Sequence, residues 1–240
     1  MPIRSRLDGW LYPSYGDRWD IVCFREEALR LIKPGMVVLD LGAGRGALTE
    51  LNFRGLGAEI WGADIDPVVT TNPNLDRAFV TSSQGLNGVP DRSVDLVICC
   101  SVLEHVSAPV ALLSEIRRVL KPGGVFLAKT PNKFHYMPVI ATMTPTWFHK
   151  LYNGWRGREE VDTFPTLYRI NSRADVSRIS EQTGMEAERL WTMEGRPEYL
   201  RLTPLTYLVG YFYERLVNLL NLTDLKGVLF MRLRSPKNVS

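Results

Sequence analysis

The chain has 240 residues, 45% of them hydrophobic, enough to fill the core of one α/β domain. A net charge of +3, spread along the chain, argues against nucleic acid as the main partner, and three cysteines, two of them adjacent at Cys99 and Cys100, give neither a disulfide framework nor metal-ligand spacing. The N-terminal stretch carries charge but no apolar signal core, and no uninterrupted apolar run reaches bilayer length, so the reduced cytoplasm is the expected setting.

In chain order, Arg25 to Ile32 reads as a helix stopped by "KPG", and Val37 to Leu41 as a first strand, apolar on both faces. A glycine-rich turn follows at Gly42 to Gly46, then a helix from about Ala47, a second strand at Glu59 to Ala63 and a turn at Asp66 and Pro67. Ala78 to Thr81 is a short third strand, "SSQGLNGVPDRS" a loop, and Val94 to Cys100 a fourth strand. Val110, Leu113, Ile116 and Leu120 recur at helical spacing up to a second stop, "KPGG" at Lys121 to Gly124, and Val125 to Lys129 is a fifth strand. Pro131 to Ile170 is long, weakly periodic and rich in aromatics. Asn171 to Thr183 is a helix closed by Gly184, and strands at Glu186 to Thr192 and Val228 to Leu233 flank a helix at Leu205 to Leu222. Strand and helix alternating this often imply a parallel, doubly wound, Rossmann-like sheet with helices on both faces. The expected organisation is one domain over 1–240: a helical cap at 1–36, a cofactor-binding core at 37–130, a lid at 131–170, and a helix, strand pair and amphipathic helix at 171–240.

Three glycines in five residues behind a buried strand suit a nucleotide-like ligand lying against the main chain; an ordinary tight turn would look the same. A dinucleotide site spaces its glycines G-x-G-x-x-G, whereas here the order is Gly42, Gly44, Gly46. With Asp40 the loop reads D-x-G-x-G-x-G, which resembles motif I of the class I S-adenosylmethionine-dependent methyltransferases. "EIWGADIDP", "DLVICCSVLEHV" and "IRRVLKPGGVFLAKTPN" follow in that family's order and at its separations.

The resemblance implies S-adenosylmethionine as cofactor, with Asp40, Gly42, Ala43, Gly44 and Gly46 along its methionine part, Asp64 anchoring the ribose, and Ile65, Ser83, Gln84 and Ser101 flanking the remainder. It also implies a seven-stranded sheet in which a reversed terminal strand sits beside strand five, the lid following that strand. Many relatives carry an acid after strand three; none stands between Thr81 and Pro90 here, and Ser83 or Gln84 would take its place. An NAD(P)-dependent oxidoreductase and a catalytically silent binding module are the competing functions.

Methyl transfer from a sulfonium depends mainly on holding nucleophile, methyl and sulfur in line. His105, just past strand four, reads either as a general base or as a support for its loop, and Glu104 as structural. His135, behind strand five, is the second catalytic candidate, and His149 belongs with the lid. No histidine has a metal-ligand partner at suitable spacing, so no metal is expected. Aromatic and basic residues interleaved through the lid suit a small-molecule or glycan-type acceptor, with oxygen as the expected methyl-accepting atom. The apolar face at 205–222 fits packing within the chain, a homodimer contact, or a peripheral membrane contact.

Overall fold

The computed structural model describes residues 3–13, 15, 16, 18–82, 85–143, 165–201 and 203–237. Its elements are α1 (Ile3–Leu11), α2 (Trp19–Leu31), β1 (Val37–Leu41), β2 (Glu59–Asp64), β3 (Arg77–Val80), β4 (Val94–Cys100), α3 (Pro109–Val119), β5 (Leu120–Pro131), α4 (Tyr136–Met143), α5 (Arg173–Thr183), β6 (Glu186–Met193), α6 (Pro204–Leu219) and β7 (Val228–Arg234). The strands form one seven-stranded sheet in the order β3-β2-β1-β4-β5-β7-β6. β1 to β5 are mutually parallel, and β7 runs antiparallel to both β5 and β6, as expected for a reversed last strand.

Alternation along the strands divides the core in two. Leu39, Val97, Phe126 and Met231 face α3 and α5, while Val38, Ile98, Leu127 and Phe230 face α2. Burying each such side chain contributes about 1.5–3 kcal/mol, which makes helices on both faces the stable arrangement. α3 supplies Leu112, Leu113, Ile116 and Val119 to one layer and α2 supplies Phe24 and Ala28 to the other.

Two local expectations fail. No α-helix follows the glycine turn; the chain makes only a 3-10 turn at Thr49–Leu51. Asn52 accepts the Arg54 amide at 3.0 Å, the Arg25 guanidinium caps the carbonyls of Glu50 and Asn52 at 2.7 Å, and Gly55 and Gly57 take positive φ, so the chain turns before a second helical turn can form. The second "KPGG" is also not a break ahead of the strand. It is an irregularity inside β5, whose register jumps from Val94 opposite Leu120 to Leu96 opposite Val125. A Cβ at Gly124 would lie 2.9 Å from the Lys121 carbonyl oxygen, which accounts for glycine there.

α5 begins and ends on side-chain and glycine signals legible in the sequence. The Ser172 hydroxyl accepts the Asp175 amide at 3.2 Å, and Gly184 takes φ +65° in the left-handed region. α4 is an additional helix within the expected lid; residues 144–164 of that segment, His149 among them, lie outside the described residues. Among the described residues no helix is long and apolar enough to cross a membrane.

Gly184→Ala should lower unfolding stability by about 1–2 kcal/mol in a urea titration, because its Cβ would meet the Arg117 guanidinium at 2.6 Å in a backbone conformation that alanine resists. An unchanged midpoint would refute the capping role.

Candidate active site

The chain leaves β1 outward to β2 and β3, then crosses back to β4, so strand order reverses between β1 and β4. A doubly wound sheet opens a crevice at the carboxyl ends of the strands on either side of such a reversal. The β1 and β2 ends bring Asp40, the glycine loop and Asp64 together there, and the β4 end adds Ser101.

The three loop glycines answer to different constraints. All have positive φ, but a Cβ at Gly42 would meet the Val102 side chain at 2.3 Å, and one at Gly46 would meet the Asn72 amide oxygen at 2.3 Å. A Cβ at Gly44 would find only the Asp64 carboxylate, 4.0 Å away. Gly42 and Gly46 are therefore required by the protein's own packing, and Gly44 is the position left open for a ligand to approach.

Polar contacts fix the loop from both sides. The Gly44 amide donates to Asp64 Oδ2 at 2.9 Å, and the Asp66 amide donates to Oδ1 at 2.9 Å. The buried Asn72 donates through Nδ2 to the carbonyls of Ala43 at 3.1 Å and Gly44 at 3.2 Å, while Asn74 Nδ2 reaches the Gly46 carbonyl at 3.3 Å. Sequence reasoning missed both asparagines because Asn after a turn ordinarily reads as a local cap.

Asp40, Ala43, Gly44, Gly46 and Asp64 line a cavity of about 260 Å³. Burial, reinforced by the nearby Asp64 charge, pushes the Asp40 carboxyl up to about 7. A cavity walled by a buried carboxyl suits a cationic group, and two carboxylates would repel a diphosphate. Ile65, 47% exposed, offers apolar surface beside Asp64 at the end of β2. Ser83 and Gln84 lie outside the described residues. Ser101 has φ +59°, an uncommon conformation for a residue with a side chain, and its amide donates to the Lys129 carbonyl at 2.9 Å, so β4 ends in a sharp exposed turn at the crevice.

His105 closes the 3-10 turn Leu103–His105 beyond β4 and is half-buried. Its Nδ1 lies 3.1 Å from the Pro165 carbonyl oxygen. A carbonyl only accepts, so Nδ1 carries the hydrogen, and the lone pair of the neutral ring lies on Nε2, the tautomer suited to taking a proton. Glu104 turns inward. Its carboxylate accepts from Thr130 Oγ1 at 3.0 Å, its carbonyl accepts the Leu167 amide at 2.6 Å, and burial raises its carboxyl above the usual range.

The second histidine differs from expectation. His135 is 5% exposed, with its ring 4.0 Å from that of Tyr136 and 5.8 Å from that of Tyr213, and its Nε2 3.3 Å from Glu194. It is enclosed between β5, α6 and the end of β6 and does not face the glycine loop's cavity.

The family model described as "Methyltransferase domain" matches residues 20–189. The chain is 32% identical over 133 residues to a ubiquinone biosynthesis O-methyltransferase of Cereibacter sphaeroides, covering 50% of this chain and 53% of that protein. It thus spans about half the length of that curated relative. Among solved structures, a SAM dependent methyltransferase from Aquifex aeolicus aligns over 97% of this chain and 98% of its own with a TM-score of 0.55 and 17% identity. The cyclopropane synthase MmaA2 from Mycobacterium tuberculosis aligns over 90% and 82% with a TM-score of 0.55 and 15% identity. These likenesses establish a shared fold, and the fold serves more than one chemistry.

Gly44→Ala should cost at least tenfold in affinity for S-adenosylhomocysteine by calorimetry while lowering the melting temperature less than Gly42→Ala or Gly46→Ala, which add clashes with Val102 and Asn72 to the backbone strain common to all three; the reverse pattern would displace the ligand from Gly44. The Asp40 pKa of about 7 lies above the ordinary value near 4, so in the ligand-free protein stability should fall as pH rises through that interval. A cationic ligand favours the carboxylate and expels its proton, so affinity should rise with pH and level off above about 7. Titrations across this range should show both slopes in the wild type and neither in Asp40→Asn.

Proposed function

Because the chain belongs to the methyltransferase-domain family, we propose that it transfers a methyl group from S-adenosylmethionine to an oxygen of a small-molecule acceptor by in-line displacement. The observation that carries this reading is the coupling of Gly44 to Asp64 around a cavity walled by the buried Asp40. The similarity to a protein named as an O-methyltransferase supports oxygen as the accepting atom. A glycan-type acceptor is the narrower form of the proposal, supported by the aromatic and basic composition of 131–170.

The cofactor, when bound, supplies an electrophilic methyl on a sulfonium, and the acceptor oxygen replaces the sulfur at that carbon. The protein's part is positioning and charge. Asp64 would hold the ribose hydroxyls, Asp40 would face the cationic methionine end, and Gly44 lets the ligand approach the main chain. Ile65 and Ser101 would flank the remainder, with Ser83 and Gln84 at the adenine end. His105 Nε2 is the atom assigned to take the acceptor hydroxyl's proton. His135 is assigned a positioning role, holding α6 against the end of β5. We place the reaction in the cytoplasm, with residues 205–222 at the membrane periphery.

Calorimetric titration with S-adenosylmethionine, S-adenosylhomocysteine and NADH should show binding of the first two alone, and tritium-methyl transfer into a cell extract should label a small molecule. Binding of NADH alone would overturn the cofactor assignment. His105→Ala should lower turnover by about 100-fold or more at unchanged S-adenosylhomocysteine affinity. Full activity in that variant would remove His105 as the base.

A further inference from the structure

Glu104 is a buried acid that the proposed chemistry leaves unused, 6% exposed in the 3-10 turn that ends on His105. A carboxyl in such a place costs stability unless hydrogen bonds answer it. Burial raises it above the usual carboxylic range, and the bond from Thr130 opposes that rise.

Thr130, in β5, and Asn171, ahead of α5, are both fully buried beside it. Asn171 Nδ2 lies 3.1 Å from the Pro131 carbonyl oxygen, and since a carbonyl only accepts, the amide nitrogen is the atom that belongs there. The same nitrogen donates to Thr130 Oγ1 at 2.6 Å, while Asn171 Oδ1 takes the Ile170 amide at 3.4 Å. With Oγ1 accepting from Asn171, the Thr130 hydroxyl hydrogen is directed to Glu104 Oε2 at 3.0 Å. The row from Asn171 through Thr130 to Glu104 therefore has one direction, and it ends on an oxygen that must accept.

The main chain of Glu104 grips a second segment. Its carbonyl accepts the Leu167 amide at 2.6 Å and the Tyr168 amide at 3.2 Å, and Arg169 Nη1 donates to the Ser107 carbonyl at 2.5 Å. The Pro165 carbonyl that meets His105 Nδ1 at 3.1 Å belongs to this segment, just before Leu167. The segment runs on into the buried Ile170 and Asn171, so its far end is fixed in the core. The Glu104 side chain thus pins the turn to β5, and its carbonyl pins the returning chain to the turn. His105 is oriented by a carbonyl whose own place depends on both.

We propose that Glu104 is a positioning residue for methyl transfer: through Thr130 and Asn171 it joins the Leu103–His105 turn and residues 165–168 into one unit, which holds His105 with its hydrogen on Nδ1. The effect on turnover rests on the reading of His105 as the base; the effect on the tautomer does not. Thr130 requires of residue 104 an acceptor oxygen, which glutamine also presents, so the role does not depend on negative charge.

The chain has three histidines, so nitrogen NMR of protein labelled at its imidazoles resolves them, with His105→Ala identifying the signal. At about pH 8, above the ordinary histidine range, wild-type His105 should show one tautomer, protonated at Nδ1. Glu104→Ala and Thr130→Val should each turn that signal into a mixture and lower tritium-methyl transfer into cell extract by about tenfold or more, with S-adenosylhomocysteine affinity unchanged by calorimetry. The double variant should lose little beyond either single one, since both remove the same link. Glu104→Gln should keep the wild-type tautomer and most of the turnover. Should Glu104→Ala fail to fold, Thr130→Val carries the same test, because valine matches threonine in shape and leaves Asn171 its bond to Pro131. Mixed tautomers in the wild type, an unaltered tautomer in the folded single variants whatever their turnover, or a Glu104→Gln protein that behaves like Glu104→Ala would overturn the proposal. Full activity in His105→Ala would remove the base while the tautomer still decides the positioning, so the two failures are told apart.

Discussion

The hydrogen bond from the Gly44 amide to Asp64 joins the ends of two adjacent parallel strands, and the crevice is shaped around it. β1 and β2 are held in register up to Leu41 opposite Ala63, where the ladder between these two strands ends. The Asp64 carboxylate replaces the ladder by taking two backbone amides, one from each side of the gap. Asn72 serves the opposite edge of the loop, satisfying the Ala43 and Gly44 carbonyls while its oxygen excludes any side chain at Gly46. A loop supported this way is rigid before any ligand arrives, so less ordering cost remains at binding.

Most of the sheet was legible because buried parallel strands have a strong signature. Val37–Leu41 and Val94–Cys100 are near-continuous apolar runs broken only by Asp40 and Asp95, and their limits were read correctly. Ser172 and Gly184 bound α5 by local chemistry, which sequence carries directly. The segment after Gly46 was read as a helix, but Asn52, Gly55 and Gly57 decide the matter through backbone conformation, which carries little weight in a reading by strand–helix alternation. In the candidate site the glycines and Asp64 were legible, but the division of labour among the glycines was not, since it depends on Val102 and Asn72, which only the fold brings close. The orientation of α6 was illegible for a different reason. Periodicity identifies an apolar face without saying whether it points inward, and here Glu214 and Tyr207, with partners in α1 and the segment before α2, set the answer.

The electrostatics of the carboxyl edge favour one class of ligand over another. Asp40 and Lys129 lie on the same face of the sheet, yet Lys129, buried and shifted upward despite the opposing effect of burial, is committed to Asp20 at the start of α2. Asp40 is raised by burial and by Asp64, with no basic group pulling it down. Arg45 borders the same cavity but is exposed at its rim, where water screens its charge. A ligand that brings its own positive charge relieves the strain on Asp40, whereas one that brings a diphosphate adds to it. The glycine spacing and the charge balance thus argue independently against a dinucleotide, the first from the shape of the turn and the second from the cost of crowding anions in a poorly solvated cavity.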